Sequence, residues 1–163
     1  MPNPTEMPRL QIEILIATMT GTAERVAQEI ELTFADEQTL ISLQLMDDLR
    51  PDVFHPHAIF IICTSTYGQG DVPDNGQSFF EALQTERPDL SEVKFAVLGL
   101  GDMTYSDTFN HGGMQFENLL TELGAIPIGT RAQLDANSGE LLEDTGLEWM
   151  EDWLTIARSE VAG

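Results

Sequence analysis

The sequence predicts an α/β fold, a doubly wound parallel sheet with helices on both faces. Three observations predict it. Residues 10–17, 58–63 and 94–98 are almost wholly apolar, as strands are when both of their faces are buried. Segments with apolar residues at helical spacing lie between strands, and that alternation belongs to parallel sheets. Each of the three apolar runs is followed by a loop rich in Gly, Asp or hydroxyl residues.

Taken in order, residues 1–9 hold three prolines and no apolar stretch of a secretory signal. They are expected to form a flexible tail ahead of a single domain at 10–163. Residues 10–17 make the first strand. After a threonine loop, Ala23, Val26, Ala27, Ile30 and Phe34 fall at helical spacing, with Glu24, Arg25, Gln28 and Glu29 on the other face. Residues 39–46 alternate through Ile41, Leu43 and Leu45, as a half-buried strand near a sheet edge does. Residues 58–63 form the next buried strand. The loop at 65–75 leads to a short helix through Phe80 and Leu83, with Asp74 and Gln77 spaced as a capping box. Residues 94–98 are a third buried strand, ending in a Gly99-Leu100-Gly101-Asp102 loop that runs through Gly113. A helix with Phe116, Leu119, Leu120 and Leu123 on one face then stops at Gly124. Residues 126–134 are the last strand. A polar loop at 135–146 precedes a final amphipathic helix at 147–157, with Trp149, Met150, Trp153 and Leu154 turned to the core.

The 163-residue chain carries 28 acidic and 7 basic residues, a formal net charge of −21. That balance argues against nucleic acid or an anionic membrane as partner, since both call for basic patches. It favours docking onto basic protein surfaces at rates that fall as salt rises, or solubility in a salt-rich habitat. No apolar run reaches the roughly 18–20 residues of a membrane span. The single cysteine, Cys63, excludes an intrachain disulfide framework and fits a reducing cytoplasm. Within an apolar strand it is expected to be a packed core thiol.

The loops at 18–22, 65–75 and 99–113 follow the carboxyl ends of apolar strands, where open α/β sheets bind ligands. The first turns straight into a helix. The leading N–H groups of a helix have no partner within it, and its dipole places partial positive charge there, so this turn suits a phosphate. It is not a P-loop, because no GxxxxGK[ST] pattern exists and no Lys lies near it. Nor is it a dinucleotide fingerprint, because Gly21 stands alone. Residues 71–76 fail as a calcium loop, with Pro73 at a ligand position and Ala82 in place of the closing glutamate. Cys and His are too few for a zinc site, and no GxSxG elbow is present. What remains is a phosphate seat of hydroxyls and amides with no fixed cation. Tyr67 and Tyr105, the only two tyrosines, fall in the second and third loops, where they could clamp a flat ring or lie as ordinary surface residues. His55, His57 and His111 read as surface residues.

Together these stretches resemble the flavodoxin family. Thr18-Met19-Thr20-Gly21-Thr22-Ala23 is similar to its T/S-x-T-G-x-T/A phosphate loop. Thr66-Tyr67-Gly68-Gln69-Gly70-Asp71 with Asp74-Asn75 resembles its T-Y-G-x-G-D-x-x-D-N loop. Gly99-Leu100-Gly101-Asp102, then Tyr105 and Phe109, resembles its G-L-G-[ND]-x-x-Y-x-x-F loop. Gly112-Gly113, Phe116 and Leu119 extend the likeness to short, stand-alone bacterial flavodoxins of the MioC and YqcA type, and the FMN domains of diflavin reductases share the motifs. The resemblance runs from about residue 10 to residue 157.

The resemblance implies a flavodoxin-like five-stranded sheet of order 2-1-3-4-5 with FMN at its switch point, an arrangement known of the family and not read from the periodicity. It implies that the hydroxyls of Thr18, Thr20 and Thr22 hold the FMN phosphate with the amides from Met19 to Ala23. Ser65, Thr66, Tyr67 and Gly68 would line the ring together with Gly99, Leu100, Gly101, Asp102, Tyr105, Phe109 and Asn110. Tyr67 and Tyr105 would take opposite faces, and Asp135 would lie near the flavin. There are departures. Met19 replaces a commoner polar residue, Asp102 stands where the reductases have Asn, and one extra residue separates Tyr105 from Phe109, which leaves the role of Asn110 open.

The implied function is a small acidic electron carrier, cytoplasmic and monomeric, with no catalytic residue and no metal. It would take electrons from a basic-surfaced NADPH-dependent flavodoxin/ferredoxin reductase to a redox enzyme. No FAD/NADPH module follows in the sequence, so it is not expected to reduce itself from a nicotinamide. The alternatives are an FMN-dependent quinone or nitro reductase of the same fold, and a non-redox domain. A receiver-type domain needs Asp at the end of the third strand, where this chain has Thr64.

Overall fold

The structure, a computed structural model, describes residues 9–18, 21–65, 72–101, 111–135 and 139–162. Its strands are β1 (Leu10–Ala17), β2 (Thr39–Leu45), β3 (Ile59–Thr64), β4 (Lys94–Gly101), β5 (Ile126–Pro127) and β6 (Ala132–Asp135). All pair in parallel, in the order β2-β1-β3-β4-β5, with β6 also on β4. The helices are α1 (Thr22–Phe34), α2 (Asp74–Glu86), α3 (His111–Glu122) and α4 (Leu142–Ala162). The doubly wound fold and the strand order are as expected.

Strand side chains alternate between the two faces of a sheet, and here both faces are covered. Ile12, Ile14 and Ile16 of β1, Ile59, Ile61 and Cys63 of β3, and Ala96, Leu98 and Leu100 of β4 share one core cluster. Ala23, Val26, Ala27 and Ile30 of α1 close that face with Met150, Trp153, Leu154 and Ala157 of α4. Leu15 and Ala17, Phe60 and Ile62, and Phe95 and Val97 point the other way, against Phe79 and Leu83 of α2 and Phe116, Leu119 and Leu120 of α3. Double burial is why these strands read as nearly continuous apolar runs. β2, at the edge, alternates instead, with Leu40 and Leu45 exposed. Cys63 is fully buried and its thiol faces the Ala23 carbonyl at 3.4 Å. Burial pushes its pKa up to about 12.

Five boundaries differ from expectation. β4 continues through Gly101, so Gly99 and Leu100 belong to the strand, held by pairing with Thr64 and Leu134. α3 begins at His111, and Gly112 and Gly113 are buried in its first turn. A Cβ on Gly113 would lie 3.1 Å from Val97 Cγ1, so close packing on β4 outweighs the weak helix propensity of glycine. α4 begins at Leu142 and carries Gly146 against Val26 of α1 for the same reason.

α2 is 13 residues long, and its N-cap is Pro73 without a side-chain cap. The expected capping box, with Asp74 as N-cap, does not form; Gln77 Nε2 donates to the Val72 carbonyl at 3.1 Å and to Asp74 Oδ1 at 3.5 Å. The last strand is interrupted, because the pairing with β4 lapses between β5 and β6, after the Ile128 N–H has bonded the Phe95 carbonyl at 2.8 Å. Gly129 there has φ +75°, a conformation that L side chains rarely adopt. Trp153 Nε1 donates to the Ile128 carbonyl at 2.9 Å and Trp149 Nε1 to the Thr130 carbonyl at 3.3 Å. The two indoles thus satisfy carbonyls around the break. Trp153 is core, as expected, whereas Trp149 is only partly buried. Among the described residues no helix is long and apolar enough to cross a membrane.

Candidate functional site at the carboxyl edge of the sheet

Ala17 pairs with Thr64, Thr64 with Gly99, and Gly101 with Asp135. The carboxyl ends of β1, β3, β4 and β6 therefore meet along one edge. β1 and β3 are neighbours, yet β2 flanks one and β4 the other, which makes this pair the switch point of the sheet.

At the end of β1, Thr18 Oγ1 accepts the Gly21 N–H at 3.0 Å. Gly21 is the N-cap of α1 with φ +89° and provides no side-chain cap. A left-handed residue just before a helix turns successive N–H groups toward one side, a concavity suited to an anion. Ala23 is buried, so α1 starts hard against the sheet. One feature departs from expectation. Arg25 Nη2 donates to Thr22 Oγ1 at 3.3 Å, so a cation stands where none was expected.

At the end of β3, the fully buried Thr64 donates its hydroxyl to the Ser65 carbonyl at 2.9 Å, and the Ser65 N–H bonds the Ala17 carbonyl at 3.0 Å. The residue that ties this corner together is Asn75, in the first turn of α2. Its Oδ1 accepts the Thr18 N–H at 2.8 Å, and its Nδ2 donates to the Ile16 carbonyl at 3.1 Å and to Asp47 Oδ2 at 3.3 Å. The next residue makes that reach possible. A Cβ on Gly76 would meet Ala17 Cβ at 2.9 Å, Val72 Cγ1 at 3.1 Å and Met46 Sδ at 3.2 Å. Asn75 was not among the expected site residues. Its only signal in the sequence is the Asp-Asn pair closing the second motif.

At the end of β4, Leu100 is buried and Gly101 half-buried beside Asp135. Of the expected site residues, Thr18, Gly21, Thr22, Ala23, Ser65, Gly99, Leu100, Gly101 and Asp135 lie on this shared edge. Met19, Thr20, Thr66, Tyr67, Gly68, Asp102, Tyr105, Phe109 and Asn110 lie outside the described residues. The donor set that is described, hydroxyls, backbone amides and one guanidinium, suits a phosphate and not a metal. Among the described residues no group of His, Cys, Asp and Glu could hold a metal ion.

The family model described as Flavodoxin matches residues 14–149. Protein MioC of Escherichia coli (strain K12) is 33% identical over 136 residues, covering 83% of this chain and 88% of MioC. The Sulfite reductase [NADPH] flavoprotein alpha-component of Bacillus subtilis (strain 168) is 30% identical over 142 residues, 86% of this chain but 23% of the relative. Among solved structures, a cysteine-to-alanine mutant of flavodoxin from Pseudomonas aeruginosa superposes with a TM-score of 0.77 at 28% identity, covering 91% of this chain and 99% of that one.

Proposed function

The chain belongs to the flavodoxin family, an FMN-binding electron-transfer family, and from that premise we propose that it works as a stand-alone carrier and not as an enzyme. It takes electrons from a basic-surfaced NADPH-dependent flavodoxin/ferredoxin reductase and hands them to a redox enzyme, as a cytoplasmic monomer bound to neither nucleic acid nor membrane. The observation that carries this reading is the convergence of four strand ends beside a helix N-terminus opened by Gly21.

FMN, when bound, supplies a ring that takes up and releases electrons, chemistry no side chain offers. The residues of this chain bind and orient it. Thr18, Thr20 and Thr22 would hold the phosphate with the amides from Met19 to Ala23, where β1 passes into α1. Ser65 to Gly68 and Gly99 to Gly101 would line the ring with Asp102, Tyr105, Phe109 and Asn110, and Asp135 would stand beside it. Asn75 holds the Thr18 amide, where the first loop begins, so less order would have to be imposed there on binding.

A net charge of −21 draws in basic partners and steers them less as salt screens it. Stopped-flow reduction by an NADPH-dependent reductase should slow several-fold between low and physiological salt. A rate indifferent to salt removes the acidic docking face. NADPH consumption by the purified protein alone, with quinone or nitroaromatic acceptor and no reductase, makes it an enzyme instead.

A further inference from the structure

The guanidinium of Arg25 is folded back over the first turn of its own helix. Nη2 donates to Thr22 Oγ1 at 3.3 Å, and Nη1 lies 3.8 Å from the position a Cβ on Gly21 would take. Side chains on a helix lean toward its N-terminus, so the direction is ordinary. The charge is not. The N-terminus of a helix carries partial positive charge, and a cation placed over it is repelled.

What opposes that repulsion among the described residues is slight. Glu143, in the first turn of α4, stands 3.7 Å from Arg25 Nε, a loose pair in which Arg25 is 59% exposed. Exposed pairs of this kind contribute little. Thr22 and Glu143 therefore aim the guanidinium without matching its charge, over a turn whose N-cap offers no side chain of its own. A cation beside a helix N-terminus that opens on a left-handed glycine is complementary to a dianion. The planar guanidinium can give a phosphate two parallel N–H donors.

We propose that Arg25 is a specificity residue for the phosphate group, selecting FMN over riboflavin, with Glu143 holding its side chain over the first turn of α1. The proposal rests on the reading of the β1–α1 turn as the phosphate seat.

The test is titration of the full-length protein, freed of flavin, with FMN and with riboflavin, each followed by quenching of flavin fluorescence. Wild type should prefer FMN. Arg25→Gln should bind FMN about tenfold more weakly, the loss of roughly one charge-assisted hydrogen bond, and bind riboflavin as wild type does. Arg25→Lys should recover part of the preference, since charge is kept and the planar fork lost. The Arg25 effect should shrink as salt rises. If Arg25 serves only to brace α1 against α4, Arg25→Gln and Glu143→Gln will lower stability equally and leave the FMN to riboflavin ratio unchanged, which overturns the proposal. Wild type that binds both flavins equally overturns the phosphate seat itself. Wild type that prefers FMN, with Arg25→Gln preferring it just as strongly, overturns the role of Arg25 alone.

Discussion

The carboxyl ends of β1 and β4 lie on either side of β3 in one sheet, yet they are finished by different physics. The β1 end is tied by directional polar contacts. Asn75 alone joins the Thr18 amide, the Ile16 carbonyl and the Asp47 carboxylate, and Thr18 in turn holds Gly21. The β4 end is finished by close approach: Gly99 and Gly101 carry no side chains, and Gly113 of α3 comes down where a Cβ would stand 3.1 Å from Val97 Cγ1 and 3.4 Å from Gly99 Cα. On the proposed reading, the first corner would present amides to a phosphate at angles that directional hydrogen bonds can set, and the second would leave room for a flat ring through the side chains it lacks.

The two corners should therefore break differently. The largest effect is expected from added volume. Gly76→Val forces α2 away from Ala17, whose Cβ is already 2.9 Å from the site of a new Cβ, and it pulls Asn75 from Thr18. A loss of about 3 kcal/mol in urea unfolding is expected, with FMN affinity falling more than tenfold. Gly113→Val meets its nearest neighbour, a Val97 methyl, at 3.1 Å, a less severe approach than the 2.9 Å at Gly76, so about 1–2 kcal/mol is expected. Equal losses at the two glycines would remove the distinction drawn between the corners.

Asn75→Ala comes next. It leaves the Thr18 amide and the Ile16 carbonyl without their partner, at a cost of about 1–2 kcal/mol. Asn75→Asp keeps an acceptor for Thr18 but loses both donations and sets a second carboxylate beside Asp47. Its FMN affinity should therefore be no better than that of the alanine variant at neutral pH, and it should improve as the pH is lowered and the new carboxyl takes up a proton. An aspartate variant that binds FMN as wild type does would show that Asn75 is not a strut.

The smallest effect is expected on β3, between the corners. Burial raises the Cys63 pKa to about 12, whereas an unfolded cysteine titrates near about 8.5. The folded state keeps a proton that the unfolded state releases, so this contribution to stability is complete below about pH 8.5 and declines as pH rises toward 12. Urea unfolding at about pH 8 and about pH 10 should show a larger drop for wild type than for Cys63→Ala. Identical drops would mean that the thiol does not contribute.

The central strands and the two apolar layers were legible in the sequence because β1, β3 and β4 are buried on both faces, and burial writes itself into composition. The start of α1 was legible too, since Gly21 marks a backbone shape that opens a helix. What escaped was decided by tertiary contact. Gly112, Gly113 and Gly146 look like loop residues, yet packing on β4 and α1 keeps them helical. The break between β5 and β6 depends on indoles 19 and 25 positions downstream of the carbonyls they bond. The bond between Thr18 and Asn75 spans 57 positions, a separation at which no local pattern records a hydrogen bond. Arg25 read as one more exposed charge on a polar face, because its folding back onto Thr22 is a matter of rotamer.

Stepwise anaerobic reduction of the purified protein, followed by visible absorption, tests most directly whether this edge carries FMN as a redox centre. A flavodoxin gives flavin bands that bleach in full with two electrons per protein, return on exposure to air, and belong to FMN when the flavin is released and identified. A colourless protein that neither takes up added FMN nor quenches its fluorescence would contradict it.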